Sequence, residues 1–208
     1  MPIFDPDLVY LDESLLVVNK PAGLLSVPGR GAEKQDCLAS RIQILYPDAL
    51  VVHRLDMATS GLIIFARGPE MQKLLSQMFR DRQIKKHYVA VVSGQVEPPS
   101  GEINLPIAAD WPNRPRHKID TDSGKPSLTR YRLLTFDNEA DTSHIVLEPL
   151  TGRTHQLRLH MAAIGHPILG DALYKGRPEN RLFLHASRLC FSDPVNNQPL
   201  TLQSDSPF

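Results

Sequence analysis

Residues 53–61 read HRLDMATSG, which sets the Arg54 guanidinium two positions from the Asp56 carboxylate. Short apolar runs rich in β-branched residues flank the string, ALVV (49–52) and GLIIFA (61–66), and both read as buried strands. Along an extended chain side chains alternate, so Arg54 and Asp56 face one way while His53 and Leu55 face the other. A charged pair at the end of a buried strand is either a structural ion pair or the working part of a site. These nine residues leave both readings open.

GRTHQLRLH (152–160) is a second constellation. On a helix His155 and Arg158, three apart, share a face. The stretch Thr151 to Thr154 then forms the helix N-terminus, whose N–H groups and positive dipole end suit a phosphate or carboxylate. The plainer alternative is a solvated cationic face. Basic residues also crowd 80–87, with Lys85 and Lys86, and 114–118, with Arg114, Arg116 and Lys118. Tyr88 and Trp111 stand beside those clusters, and aromatics next to cations are what a nucleic-acid stacking surface needs. Tyr88 reads equally well as an ordinary strand tyrosine.

Other chemistries lack their signatures. His155, His160 and His166 have metal-ligand side chains, but 155 and 160 face different sides of a helix and no HExxH occurs, so no metal is expected. DSG (122–124) matches the aspartic-protease triplet, yet it lies in a polar stretch rather than on an apolar strand end, and a turn is expected. Neither GxGxxG nor GxxxxGK[ST] is present to cradle a nucleotide.

The elements that must position these residues mix freely. LLVVN (15–19) reads as a strand closed by the KPAG turn, and a helix follows from about Asp36 with Leu38, Ile42 and Leu45 on one face and Pro47 as its stop. Gly68-Pro69 opens a second helix, with Met71, Leu74, Leu75, Met78 and Phe79 on its apolar stripe. Strands are expected at 88–94, 131–136, 144–150, 181–191 and 198–204, a helix within 151–165 stopped by Gly165, and a loop with a short helix at 166–174. The stretch 95–127 is polar and rich in proline. With no regular βαβ rhythm, the fold is α+β, a mixed and mostly antiparallel central sheet with flanking helices.

The whole chain has 208 residues, enough for a proper core. Its 23 Lys and Arg balance 23 Asp and Glu, although a zero total can hide a basic face. Cys37 and Cys190 lie far apart with no CxxC, which fits a reducing compartment. Neither a signal peptide nor a membrane-length apolar run is visible, so a cytoplasmic protein is expected.

NKPAGLLSVPG (19–29), HRLDMATSGLIIFAR (53–67), KKHYVAVVSG (85–94), LTGRTHQLRLHMAAIGHPILGD (150–171) and LFLHA (182–186) together resemble the RluA-type pseudouridine synthases, in the same order and over most of the chain. DWPNRP (110–115) is similar to the RluA subgroup, whose members modify ribosomal RNA, transfer RNA or both. The resemblance implies the pseudouridine synthase fold with a catalytic cleft, as one catalytic domain over 1–208 without a separate S4-like RNA-binding domain. It implies an isomerase that breaks the N-glycosidic bond of a uridine in structured RNA, turns the base over and rejoins it through C5. The substrate is expected to be 23S ribosomal RNA, a tRNA anticodon stem-loop, or both. No cofactor is expected, because the product is an isomer.

By the same resemblance Asp56 is the catalytic carboxylate, attacking C1′ or removing a proton at C2′, and Arg158 is the guanidinium that keeps it ionised. Tyr88 matches the tyrosine lying against the flipped base, and Arg54 the arginine filling the space that base leaves. His53, Lys85, Lys86, Arg114, Arg116, Lys118, Arg153 and His155 complete an expected RNA surface, with RNA as partner and a monomer as the working state. Two other classes compete. A non-catalytic RNA-binding or ribosome-assembly protein could keep the fold, and a glycosidase would need a second acid for which Asp171, read as structural, is the nearest candidate.

Overall fold

The computed structural model describes residues 5–208. The elements begin with β1 (Leu8–Leu11), β2 (Leu15–Lys20), α1 (Leu38–Leu45), β3 (Ala49–Val51), β4 (Ser60–Arg67) and α2 (Pro69–Arg80). There follow β5 (Lys85–Ser93), β6 (Ser100–Asn104), β7 (Ile107–Ala109), β8 (His117–Ile119), β9 (Leu128–Asp137) and β10 (Thr142–Pro149). Helix α3 (Gln156–Ala163) and the strands β11 (Leu184–Ser192) and β12 (Pro199–Gln203) complete the α+β chain. It divides into two compact units, one ending at Lys86 and regaining Ala186–Pro207, the other comprising His87–His185 with Phe208.

In the first unit the strand order is β1-β2-β4-β11, with β3 also on β4 and β12 on β11. Leu15, Val17, Leu62, Ile64 and Ala66 alternate along β2 and β4 and pack with Leu75 and Met78 of α2. The intervening Leu16, Val18, Ile63 and Phe65 are buried as well. Covered on both faces, these strands read as continuous apolar runs rather than alternating ones. Gly61 answers a steric demand: its φ is +112°, and an added Cβ would run into the backbone of Ala186. Both expected helices form here, α1 capped by the Cys37 thiol and α2 opened by Pro69, although Leu74 of the predicted stripe is exposed.

In the second unit β5-β10-β9-β6 are consecutive, all antiparallel, and β7 and β8 form a separate ribbon. The proline-rich stretch thus holds three short strands that its polar composition concealed. DSG is the expected turn, with the Asp120 carboxylate accepting from the Asp122 and Ser123 amides. Two expectations fail locally. His155 takes a left-handed conformation (φ 56°), so α3 begins at Gln156 and His155 does not share a helical face with Arg158. No helix forms in 166–174, because Asp171 Oδ1 accepts the amides of Leu173 and Tyr174 and turns the chain instead.

Candidate functional site

Asp56 sits in the first unit, on the loop 52–59 between β3 and β4. Its neighbours hold it by the backbone. Ser26 Oγ donates to Leu55 O at 2.7 Å and accepts the Leu55 N–H at 3.1 Å. The Gly23 amide donates to Met57 O at 2.8 Å, and Lys20 Nζ donates to the same oxygen at 3.1 Å. Lys20 is wholly buried and also donates to the carbonyls of Pro21 and Leu24, each at 2.8 Å. Leu55 and Met57 are therefore clamped on either side of Asp56 by residues 20–26, while Asp56 itself remains half-buried. A buried ammonium is tolerated only when its donors are used, and three carbonyls use them here.

The rest of the loop follows the predicted alternation, with Arg54 exposed and Leu55 buried. His53 Nε2 accepts the Ile64 N–H of β4 at 2.9 Å, and its ring stacks on Phe79 at 4.4 Å between centroids. Burial, and then the charge of Lys86, lower its pKa to about 3, so the ring is neutral with its proton on Nδ1. Burial followed by the charge of Arg82 also lowers the pKa of Lys86, whereas Lys85 is exposed.

Arg158 and Tyr88 belong to the second unit. Tyr88 is a half-buried residue of β5 opposite Leu147 of β10. Arg158, on α3, meets Asp171 edge-on, with Nε and Nη2 each donating to one carboxylate oxygen at 2.7 Å. The side chains are 6% and 0% exposed. Such a two-bond pairing fixes the guanidinium plane as well as its position. The first turn of α3 is organised by Gln156, whose Oε1 accepts from Thr151 Oγ1 at 2.7 Å and from the Arg153 amide at 3.1 Å. One of the amides read as an anion site is thus occupied internally.

The expected cationic surface is uneven. Arg114 and Arg116 are exposed at the β7–β8 connection, with the Arg114 guanidinium carbon 3.6 Å from the Trp111 ring centroid. Lys118 pairs with Asp120 at 3.0 Å, and exposed Arg153 reaches back to Pro126 O. His155 Nδ1 lies 2.9 Å from the Tyr174 hydroxyl. His160 bridges Thr129 Oγ1 and Leu105 O, and His166 Nδ1 faces Ser93 O at 3.0 Å. Among the described residues no group of three or more His, Cys, Asp or Glu could hold a metal.

Comparison with known proteins shows the family. The family described as RNA pseudouridylate synthase matches residues 14–163. The chain is 46% identical over 206 residues to the dual-specificity RNA pseudouridine synthase RluA of Escherichia coli (strain K12), covering 97% of this chain and 93% of that one. It is 48% identical over 208 residues to the protein of the same name from Vibrio cholerae, covering 97% and 84%. The chain belongs to the RluA-type pseudouridine synthases. Among solved structures it is similar to human RNA pseudouridylate synthase domain containing 1, with a TM-score of 0.82 and 28% identity over 100% of this chain and 86% of that one.

This RluA-type synthase is therefore an isomerase acting on RNA. No helix among the described residues is long and apolar enough to cross a membrane. Its supporting residues were less legible than its motifs. Lys20 gave one signal, a lysine at the end of a strand that opens with four apolar residues. Asp171 was read as structural, and within its unit it is the carboxylate that holds Arg158. Ser26 and Tyr174 gave no signal, since a loop serine and a tyrosine are common anywhere.

Proposed function

We propose that this synthase isomerises uridines in two RNA classes, large-subunit ribosomal RNA and a tRNA anticodon stem-loop. The observation that carries this reading is the identity of 46% and 48%, across 97% of the chain, to proteins named for dual specificity. The DWPNRP segment supports it, because its arginine and tryptophan are exposed together where an RNA loop can reach them. A non-catalytic RNA-binding role is not favoured by relatives that are named as enzymes.

In this reading Asp56 supplies the carboxylate beside the ribose and Arg158 keeps it ionised. Tyr88 lies against the uracil, which must leave the stack at a cost of about a few kcal/mol. Arg54, exposed on the Asp56 loop, fills the space the base vacates. Lys85, Lys86, Arg114, Arg116, Lys118, Arg153 and His155 line the path of the backbone, and His53 serves it by holding the loop. The protein works as a cytoplasmic monomer without a cofactor, a state that light scattering of the purified chain checks.

The test is Asp56→Asn in the full chain. Tritium release from [5-³H]uridine RNA should vanish while RNA binding stays near wild type. Surviving activity would overturn the assignment of Asp56. Pseudouridine mapping in cells with and without the gene then decides between one RNA class and two.

A further inference from the structure

One hydroxyl joins the β7–β8 hairpin to α3. Ala109 pairs with His117 at the end of that ribbon, and the connection 110–116 carries the exposed Trp111, Arg114 and Arg116. The connection is closed upon itself. The Asp110 amide donates to Arg116 O, the Arg116 amide to Asn113 O, and Asn113 Nδ2 to Asp110 Oδ2, each at 3.0 Å. Such a tip moves with its strands rather than independently of them.

The seat of the strands is small. Ile107 and Ile119 join Leu159 and Ala162 of α3, with Leu173 and Tyr174, in one apolar cluster. Within it the Tyr174 hydroxyl accepts the His117 amide at 2.9 Å and lies 2.9 Å from His155 Nδ1. His117 is the first residue of β8 after the tip, and His155 immediately precedes α3. The Tyr174 amide donates to Asp171 Oδ1, an oxygen that also accepts from Arg158 Nη2. The guanidinium carbon of Arg158 lies 5.4 Å from the Tyr174 ring centroid. One side chain thus touches the hairpin, the start of α3 and the buried Arg158–Asp171 pair.

We propose that Tyr174 is a positioning residue that sets the seat of the 107–119 hairpin and thereby the affinity for RNA. It is 7% exposed and acts through His117 and His155 rather than on the nucleic acid. The proposal rests on the reading that the hairpin tip engages RNA. Without the hydroxyl, the His117 amide and His155 Nδ1 lose the group they share, and the tip loses its fixed orientation while the apolar packing persists.

Trp111 is the sole tryptophan of the chain, so its fluorescence reports the tip. In the full-length enzyme acting on an anticodon stem-loop, Tyr174→Phe should raise KM about tenfold and leave kcat within about twofold. Acrylamide quenching of Trp111 should increase in the same variant. His155→Asn, which tolerates the left-handed backbone, should raise the same quenching, measured without RNA, should Tyr174→Phe fold poorly. Tyr131→Phe, which deletes the hydroxyl of another buried tyrosine in the same unit, should change neither. Combined with Arg114→Ala, Tyr174→Phe should add little to the KM of the single variant. An unchanged KM, a loss confined to kcat, or full additivity overturns the proposal. An Arg114→Ala enzyme with wild-type KM would instead overturn the RNA reading of the tip, and the role of Tyr174 with it.

Discussion

Arg158 Nε and Nη2 each donate to Asp171 at 2.7 Å in a site closed to solvent. The pair orients the guanidinium of a helix that is buried all around its first six residues, with Gln156 and His160 likewise paired. Burying the pair cost solvation that its two short bonds offset; removing the Asp171 charge takes the ionic partner of both bonds from the guanidinium.

Asp171→Asn should therefore destabilise the enzyme by about 3–5 kcal/mol, although the amide keeps the shape and one acceptor oxygen. Urea unfolding of the variant against wild type measures it. A loss below about 1 kcal/mol would show that the pair is weakly coupled to the fold.

Lys20→Met should impair both stability and turnover. Methionine fills similar space but leaves the carbonyls of Pro21, Leu24 and Met57 without the ammonium, at about 1–3 kcal/mol for each one left unsatisfied. Because Met57 adjoins Asp56, kcat should fall more than KM rises. Steady-state tritium release at a temperature where the variant is folded checks this, and a wild-type kcat would contradict it.

Acid should weaken the fold through His53. Its pKa is depressed from 6.5 to about 3, so the unfolded chain binds a proton that the folded chain refuses between those values. The contribution of His53 is complete above pH 6.5 and is lost at up to about 1.4 kcal/mol per unit of pH as acid is added through that window. Burial lowers the pKa of His160 too, which adds to the same trend. His53→Gln, able to accept the Ile64 amide without titrating, should flatten the dependence of urea midpoints between about pH 7 and about pH 5.

RNA binding should weaken steeply with salt despite the zero net charge, because clustered cations release counterions from the RNA. Arg116→Ala should reduce the slope of log Kd against log salt by about one. Filter binding across a salt series measures it, and a flat wild-type response would show that the exposed cations do not meet phosphate.

The periodic elements were legible because their signals are local. Leu75 and Met78 recur at helical spacing, β2 and β4 carry the apolar runs LLVV and LIIFA, and Gly165 stops α3 at a φ of 90° as a glycine should. HRLDMATSG and GRTHQLRLH by themselves left a structural and a chemical reading open, and only their resemblance to a family assigned them roles. What the string could not carry was every relationship set by folding across distance. The left-handed turn at His155 detached it from the helix it was read into, and the Asp171 side chain cancelled a helix by taking two amides. Tertiary structure alone clamped residues 20–26 onto Leu55 and Met57 and set a tyrosine hydroxyl between His117 and His155, because a hydrogen bond depends on position in space and leaves no period in the chain.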